Sequence, residues 1–156
     1  MVYLNAKKYE LALDASKMSI ELDPNTFPGY RTLGLSLFKL EKYDEAIEAY
    51  KKAALFSSRH PWILVELSSV YALSGKLQEA KEIMEELKTL SQSRFVSGMF
   101  VAAYHLREYD KSIEYLELAI TQRDGSLISM KNWPLTEFVE TDLRFQPYLK
   151  RFNYPE

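Results

Sequence analysis

The sequence predicts an all-α fold, a solenoid of stacked helical hairpins closed by a C-terminal capping segment. Two observations carry this expectation. The first is a repeat: Tyr9-Glu10-Leu11-Ala12, Tyr43-Asp44-Glu45-Ala46 and Leu77-Gln78-Glu79-Ala80 superpose with their alanines 34 residues apart, and Tyr109-Asp110-Lys111-Ser112 follows Ala80 by 32. Self-similarity at such a period marks an array in which each unit buries its apolar face on its neighbours. The second is periodicity within each unit. In the second copy Tyr30, Leu33, Leu37 and Leu40 recur at helical spacing, Glu41-Lys42 interrupts them, and Ala46, Ile47, Tyr50, Ala53 and Ala54 resume it.

The elements follow in order. A partial first repeat covers 1–24, and full repeats cover 25–58, 59–92 and 93–123. A tail over 124–156 does not repeat. Small residues hold fixed places, Gly34 and Ser68 in the first helices and Ala12, Ala46 and Ala80 in the second, where helix axes come close and a larger side chain would overpack. Tyr43, Tyr50 and Met84 are expected to fill the space that remains. Asp23-Pro24-Asn25 is a stop and turn between copies. Met1 falls inside the first helix of its repeat, so the chain reads as a downstream part of a larger protein. The fourth copy is expected to shorten its inter-helix turn, and it has no glycine at the position of Gly34. In the tail, Gly125 is expected to break the last helix. Pro134 and Thr141 or Asp142 then suggest two short helices, with Phe138, Phe145, Tyr148, Leu149 and Phe152 as apolar faces. Such a segment can cap the last hairpin, or it can bind a partner or dimerise.

Composition excludes several functions. Among 156 residues 47% are hydrophobic and 27% charged, an ordinary globular mixture, and Lys+Arg 20 against Asp+Glu 22 gives a net charge of −2. That balance provides no long-range pull toward nucleic acid or anionic membranes. The basic doublets Lys7-Lys8, Lys51-Lys52 and Lys150-Arg151 are interleaved with acids. With no cysteine there is no disulfide, thiolate nucleophile or Cys-ligated metal. The most apolar window, 99–106, is too short to cross a bilayer, and the N-terminus lacks the order of a signal peptide. A cytoplasmic protein is expected.

Nor do the residues compose a catalytic or cofactor site. His60 and His105 are far apart and have no carboxylate or serine at triad or metal spacing. Glu79/Glu82 and Glu85/Glu86 share a helix with Lys81 and Lys88, the pattern of a solvated face. The glycines occur singly, with no phosphate loop. No enzyme activity, cofactor or metal is expected.

The run Tyr30…Leu33-Gly34…Tyr43-Asp44-Glu45-Ala46…Tyr50…Ala53, together with Ala12…Leu22-Asp23-Pro24, resembles the tetratricopeptide repeat (TPR) over about residues 1–123. The resemblance implies a right-handed superhelix whose first helices line a concave wall. On that wall Arg31, Leu35, Phe38, Lys39, Trp62, Val65, Glu66, Ser69 and Leu73 are the expected groove residues. Apolar side chains clustered on a concave surface suggest a bound segment. Leu35 and Glu66 stand where the carboxylate clamp of chaperone-binding members carries Asn and a cation, so acidic chaperone tails are not the expected partner. An apolar or amphipathic helix, oriented by Arg31, Lys39 and Glu66, fits better. The tail resembles the closing segment of TPR regions in bacterial signalling proteins, through Gln122-Arg123-Asp124 and Asp142-Leu143-Arg144-Phe145, with Leu143 in place of the usual Pro. The implied function is a protein-binding regulatory module. The second reading is homo-oligomerisation, homodimerisation included, with the groove filled by the chain itself or by a symmetry mate.

Overall fold

The computed structural model describes residues 2–90, 95–130 and 133–148, and all its elements there are helical. They are α1 (Val2–Leu22), α2 (Phe27–Lys39), α3 (Tyr43–Phe56), α4 (Pro61–Leu73), α5 (Leu77–Leu90), α6 (Val96–His105) and α7 (Tyr109–Thr121). The short helices α8 (Ser126–Met130) and α9 (Phe138–Thr141) and a 3-10 turn (Leu143–Phe145) follow. Helices pack in the pairs α2–α3, α4–α5 and α6–α7, and α1–α2, α3–α4 and α4–α6 contacts stack them into an array.

The hairpin turns share one backbone device. Glu41, Gly75 and Arg107 have φ of 62°, 84° and 61°. Around Glu41, the N–H of Lys42 donates to Leu37 O (2.9 Å) and that of Glu41 to Phe38 O (3.0 Å). Lys76 to Tyr71 and Gly75 to Ala72 repeat the pattern, as do Glu108 to Ala103 and Arg107 to Tyr104. This pair of bonds satisfies the last helical carbonyls and requires one left-handed residue, which only the middle turn fills with glycine. The turn is therefore three residues long in every hairpin, at 40–42, 74–76 and 106–108. The shortening expected in the fourth copy's turn falls elsewhere: α6 has 10 residues where α2 and α4 have 13. The partial first repeat also differs from expectation. α1 runs unbroken through residues 2–22, because Ala6-Lys7-Lys8 carry no left-handed residue where the later copies turn.

The small-residue contacts are tight. Ala46, Ala80 and Ser112 are fully buried and Ala12 is half-buried. A Cβ on Gly34 would stand 2.7 Å from the Tyr50 ring, so Gly34 sets the α2–α3 approach. The Ser68 hydroxyl donates across α4–α5 to Ala80 O (3.0 Å), and Ser112 donates across α6–α7 to Phe100 O (3.0 Å). Tyr50 and Met84 fill the core as expected. Tyr43 does not: at the start of α3 it is 38% exposed and rests against Phe38. Between α1 and α2 the Asp23 carboxylate accepts from Asn25 N (3.0 Å), closing the anticipated turn.

The tail leaves α7 through Arg123, whose φ is 53°, so the helix ends at Thr121, ahead of Gly125. Pro134 sits in a turn in which Thr136 N donates to Trp133 O (3.0 Å); it begins no helix. Asp142, rather than Thr141, caps the 3-10 turn, accepting from Arg144 N at 3.0 Å. The expectations for Leu149, Lys150-Arg151 and Phe152 lie outside the described residues.

Candidate functional site

The inner wall is built on α2, α4 and α6, and the tail lies along it. Asp124 starts the path, its carboxylate accepting from Ser97 N on α6 (3.2 Å) and from Ser126 N (3.0 Å). Beyond α8 the Trp133 indole enters the wall and is only 9% exposed. Its Nε1–H donates to Glu66 Oε1 (2.9 Å), and its ring meets Trp62 edge-on at 4.9 Å between centroids. Trp62 in turn meets Phe95 edge-on at 4.5 Å. One residue further, Pro134 O accepts from Lys39 Nζ on α2 (3.1 Å), which also pairs with Glu137 (2.7 Å). Trp133 and Pro134 thus bridge α4 and α2.

Glu66 is the electrostatic centre. It is 1% exposed and accepts two bonds from Arg31 Nε (2.9 and 2.8 Å) and one from Arg31 Nη2 (2.5 Å). Burial raises its pKa, opposed by the Arg31 bonds and charge and by the indole bond. A carboxylate stripped of water persists only where donors replace the water, and here α2 and the tail supply them. The Tyr50 hydroxyl, fully buried, lies within electrostatic reach of the same carboxylate, and its pKa is pushed well up, chiefly by burial.

Further along, an aromatic cluster fixes the tail on α6. Phe138 stacks on Tyr104 at 3.5 Å and 7°, while Phe145, fully buried, meets Phe100 and Tyr104 edge-on. The Tyr104 hydroxyl donates to Asp142 (3.1 Å). The Arg144 guanidinium binds Asp142, holding that carboxyl well below the usual range, and lies 3.5 Å over the Tyr109 ring.

The expected groove residues divide into four groups. Arg31, Leu35 and Trp62 come together in an open cleft of about 570 Å³, with Phe27, His60, Ile63, Met130, Trp133 and Pro134. Lys39 and Glu66 lie on the same wall but bind within the chain, so the charges expected to orient a partner are already paired. Val65 and Ser69 were expected to be exposed but are fully buried. A Cβ on Gly98 of α6 would reach Val65 at 2.9 Å, so the glycine brings α6 down onto this face of α4. Phe38 is half-buried beside Tyr43, and Leu73 is 46% exposed at the end of α4. Sequence reasoning missed Phe27, Gly98 and Trp133. Only Trp133 carried a signal, as a large aromatic in a segment with no repeat role.

His60 caps α4, its Nδ1 accepting from Trp62 N (3.3 Å). His105 packs edge-on to Tyr104 and Phe138, and burial lowers its pKa to about 4. Among the described residues no group of three His, Asp or Glu could hold a metal, and no helix is long and apolar enough to cross a membrane.

Paired helices stacked at a 34-residue period around a shared inner wall define a helical-hairpin repeat protein. The chain carries tetratricopeptide repeats: two stretches, 27–60 and 63–94, match models of that repeat. It is similar to protein bimA of Emericella nidulans, 28% identical over 94 residues, 60% of this chain and 12% of that protein. It is also similar to small glutamine-rich tetratricopeptide repeat-containing protein 2 of Saccharomyces cerevisiae, 41% identical over 46 residues, 30% of this chain and 13% of that protein. The chain matches about an eighth of the length of each relative. Repeats of this family serve in general as non-catalytic scaffolds for protein–protein interaction.

Proposed function

We propose that this chain is a cytoplasmic interaction module that takes an apolar segment of a protein partner into the cleft on its inner wall. In this reading residues 1–123 are the array and 124–156 the closing segment. The carrying observation is the cleft itself, about 570 Å³, walled by Phe27, Leu35, Trp62 and Ile63 and floored by Arg31, whose side chain stays 40% exposed. Concave, mostly apolar space is the usual make-up of a ligand site. The tail indicates what the wall accommodates: an aromatic ring beside Trp62 and a main-chain carbonyl on Lys39. A partner side chain of similar kind, an aromatic or leucine, suits the space left beside it. A regulatory place within a bacterial signalling protein rests on the tail's likeness alone, and the two fungal relatives add nothing to it.

Selection of random displayed peptides on the full chain tests the proposal. The expected winners carry an aromatic or leucine and lose about tenfold or more in affinity to Leu35→Glu, which puts a charge in the apolar wall. Phe27→Glu should act alike, with circular dichroism unchanged for both. Winners indifferent to both substitutions would refute the site.

A further inference from the structure

On α1, the side facing away from the rest of the array carries an uncovered stripe. Leu11 and Met18 are each 64% exposed and Leu22 is 88% exposed, with Ala15 and Lys8 also exposed on the same line. Surface leucines scattered singly need no explanation, but these recur at alternating intervals of three and four: Lys8, Leu11, Ala15, Met18, Leu22. That is a 3.5-residue repeat, the spacing that keeps one seam facing a partner helix.

The repeat itself indicates what this face receives. Thirty-four residues on, Ala15, Met18 and Leu22 correspond to Ala49, Lys52 and Phe56 of α3. There Phe56 meets the Tyr30 ring of α2 at 5.5 Å and Lys52 lies over the same ring at 5.2 Å. On α3, Phe56 is thus half-buried against the first helix of its own hairpin and Ala49 is buried, while the equivalents of Lys8, Leu11 and Met18 are the exposed, charged Lys42, Glu45 and Lys52. On α1 the equivalent face has no helix against it among the described residues.

We propose that this stripe is a dimer interface and that its occupant is α1 of a second copy, antiparallel, with the two-fold axis at Ala15. Charge supports the direction. The start of the exposed stripe carries Lys8 and its end is flanked by Glu21 and Asp23, all three exposed. An antiparallel pair brings Lys8 against Glu21 and Asp23 of the second copy at both ends, whereas a parallel pair would set like charges together. The same register puts Leu11 opposite Met18 and the small Ala15 opposite itself, where the axes come closest. The interface is isologous and closes at two copies. None of its residues lines the inner-wall cleft, so it is independent of peptide binding there.

Sedimentation equilibrium of the full chain from about 5 to about 500 µM, a span suited to a small interface, should show the mass rising from one copy toward two. Met18→Glu should hold it at one copy with unchanged helicity. The cysteine-free sequence permits a second, geometric readout. Ala15→Cys should form an interchain disulfide on mild oxidation. Leu22→Cys should not link to itself but should link to Lys8→Cys when the two are mixed. A single copy at every concentration would assign the stripe to a segment of another protein and overturn the proposal. So would a dimer indifferent to Met18→Glu, or Leu22→Cys linking to itself as a parallel pair requires.

Discussion

Replacing Trp133 by Phe removes one hydrogen-bond donor and little apolar bulk. The indole Nε1–H is one of the donors that replace water around the buried Glu66 carboxylate, and it reaches that group at 2.9 Å from 67 residues away in sequence. A hydrogen bond to a charged group contributes about 1.5–3 kcal/mol, and a buried acceptor left short of donors loses most of it. The smaller ring also gives up part of the edge contact with Trp62. Together these lead to a loss of about 2–3 kcal/mol, or about 4–9 °C in melting temperature for a chain of this size. Urea unfolding followed by circular dichroism measures it, and a double-mutant cycle isolates it. In a Glu66→Gln background, where the acceptor is neutral, the same substitution should cost at least about 1 kcal/mol less. A Trp133→Phe variant within about 0.5 kcal/mol of the parent, or an identical loss in both backgrounds, would refute the indole–carboxylate bond as the tail's anchor.

Arg31→Met should cost about 3–5 kcal/mol at neutral pH by leaving the Glu66 charge buried without its cation. Because burial already raises the Glu66 pKa and this change raises it further, the penalty should shrink as pH falls toward 5, which pH-dependent urea melts would detect. His105 works in the opposite sense. Its folded pKa of about 4 lies below the ordinary histidine value of 6.5, so the unfolded chain binds the extra proton, and the stability His105 contributes above pH 6.5 is lost as pH falls toward 4. The parent should therefore lose about 2 kcal/mol more than His105→Gln between pH 7 and pH 5. At the hairpin turns Gly75→Ala should destabilise by about 1 kcal/mol, because φ is 84° there, and thermal melts should show Glu41→Gly at φ 62° equal to or more stable than the parent.

The array was legible because its information is local and periodic. Ala46 and Ala80, like Gly34 and Ser68, stand 34 residues apart, and each sits where two helices touch, so residue size alone revealed the contact. The turns were less legible. Glu41 and Arg107 adopt the left-handed conformation that glycine marks at Gly75, and nothing in their chemistry advertises it. The inner wall was half legible. Arg31, Leu35 and Trp62 line one cleft, but Val65 and Ser69 are fully buried, and Gly98, unmarked by any repeat, lets α6 approach Val65 more closely than the register suggested. Least legible was the path of the tail. Lys39 meets Pro134 and Glu137 across more than ninety residues, and a single non-repeating contact at that separation leaves no periodic trace. The tail's aromatics signalled that it packs somewhere, but nothing in the sequence paired Glu66 with Trp133.

Trp133 lies inside the inner wall against Glu66 and Trp62, and the tail's docking depends on it. Nuclear magnetic resonance of the two indole N–H groups tests this most directly. One indole proton should be shifted by its carboxylate bond, slow to exchange with solvent, lost in Trp133→Phe, and should show a nuclear Overhauser contact to the Trp62 ring. Two rapidly exchanging indole protons with no contact between the rings would contradict it.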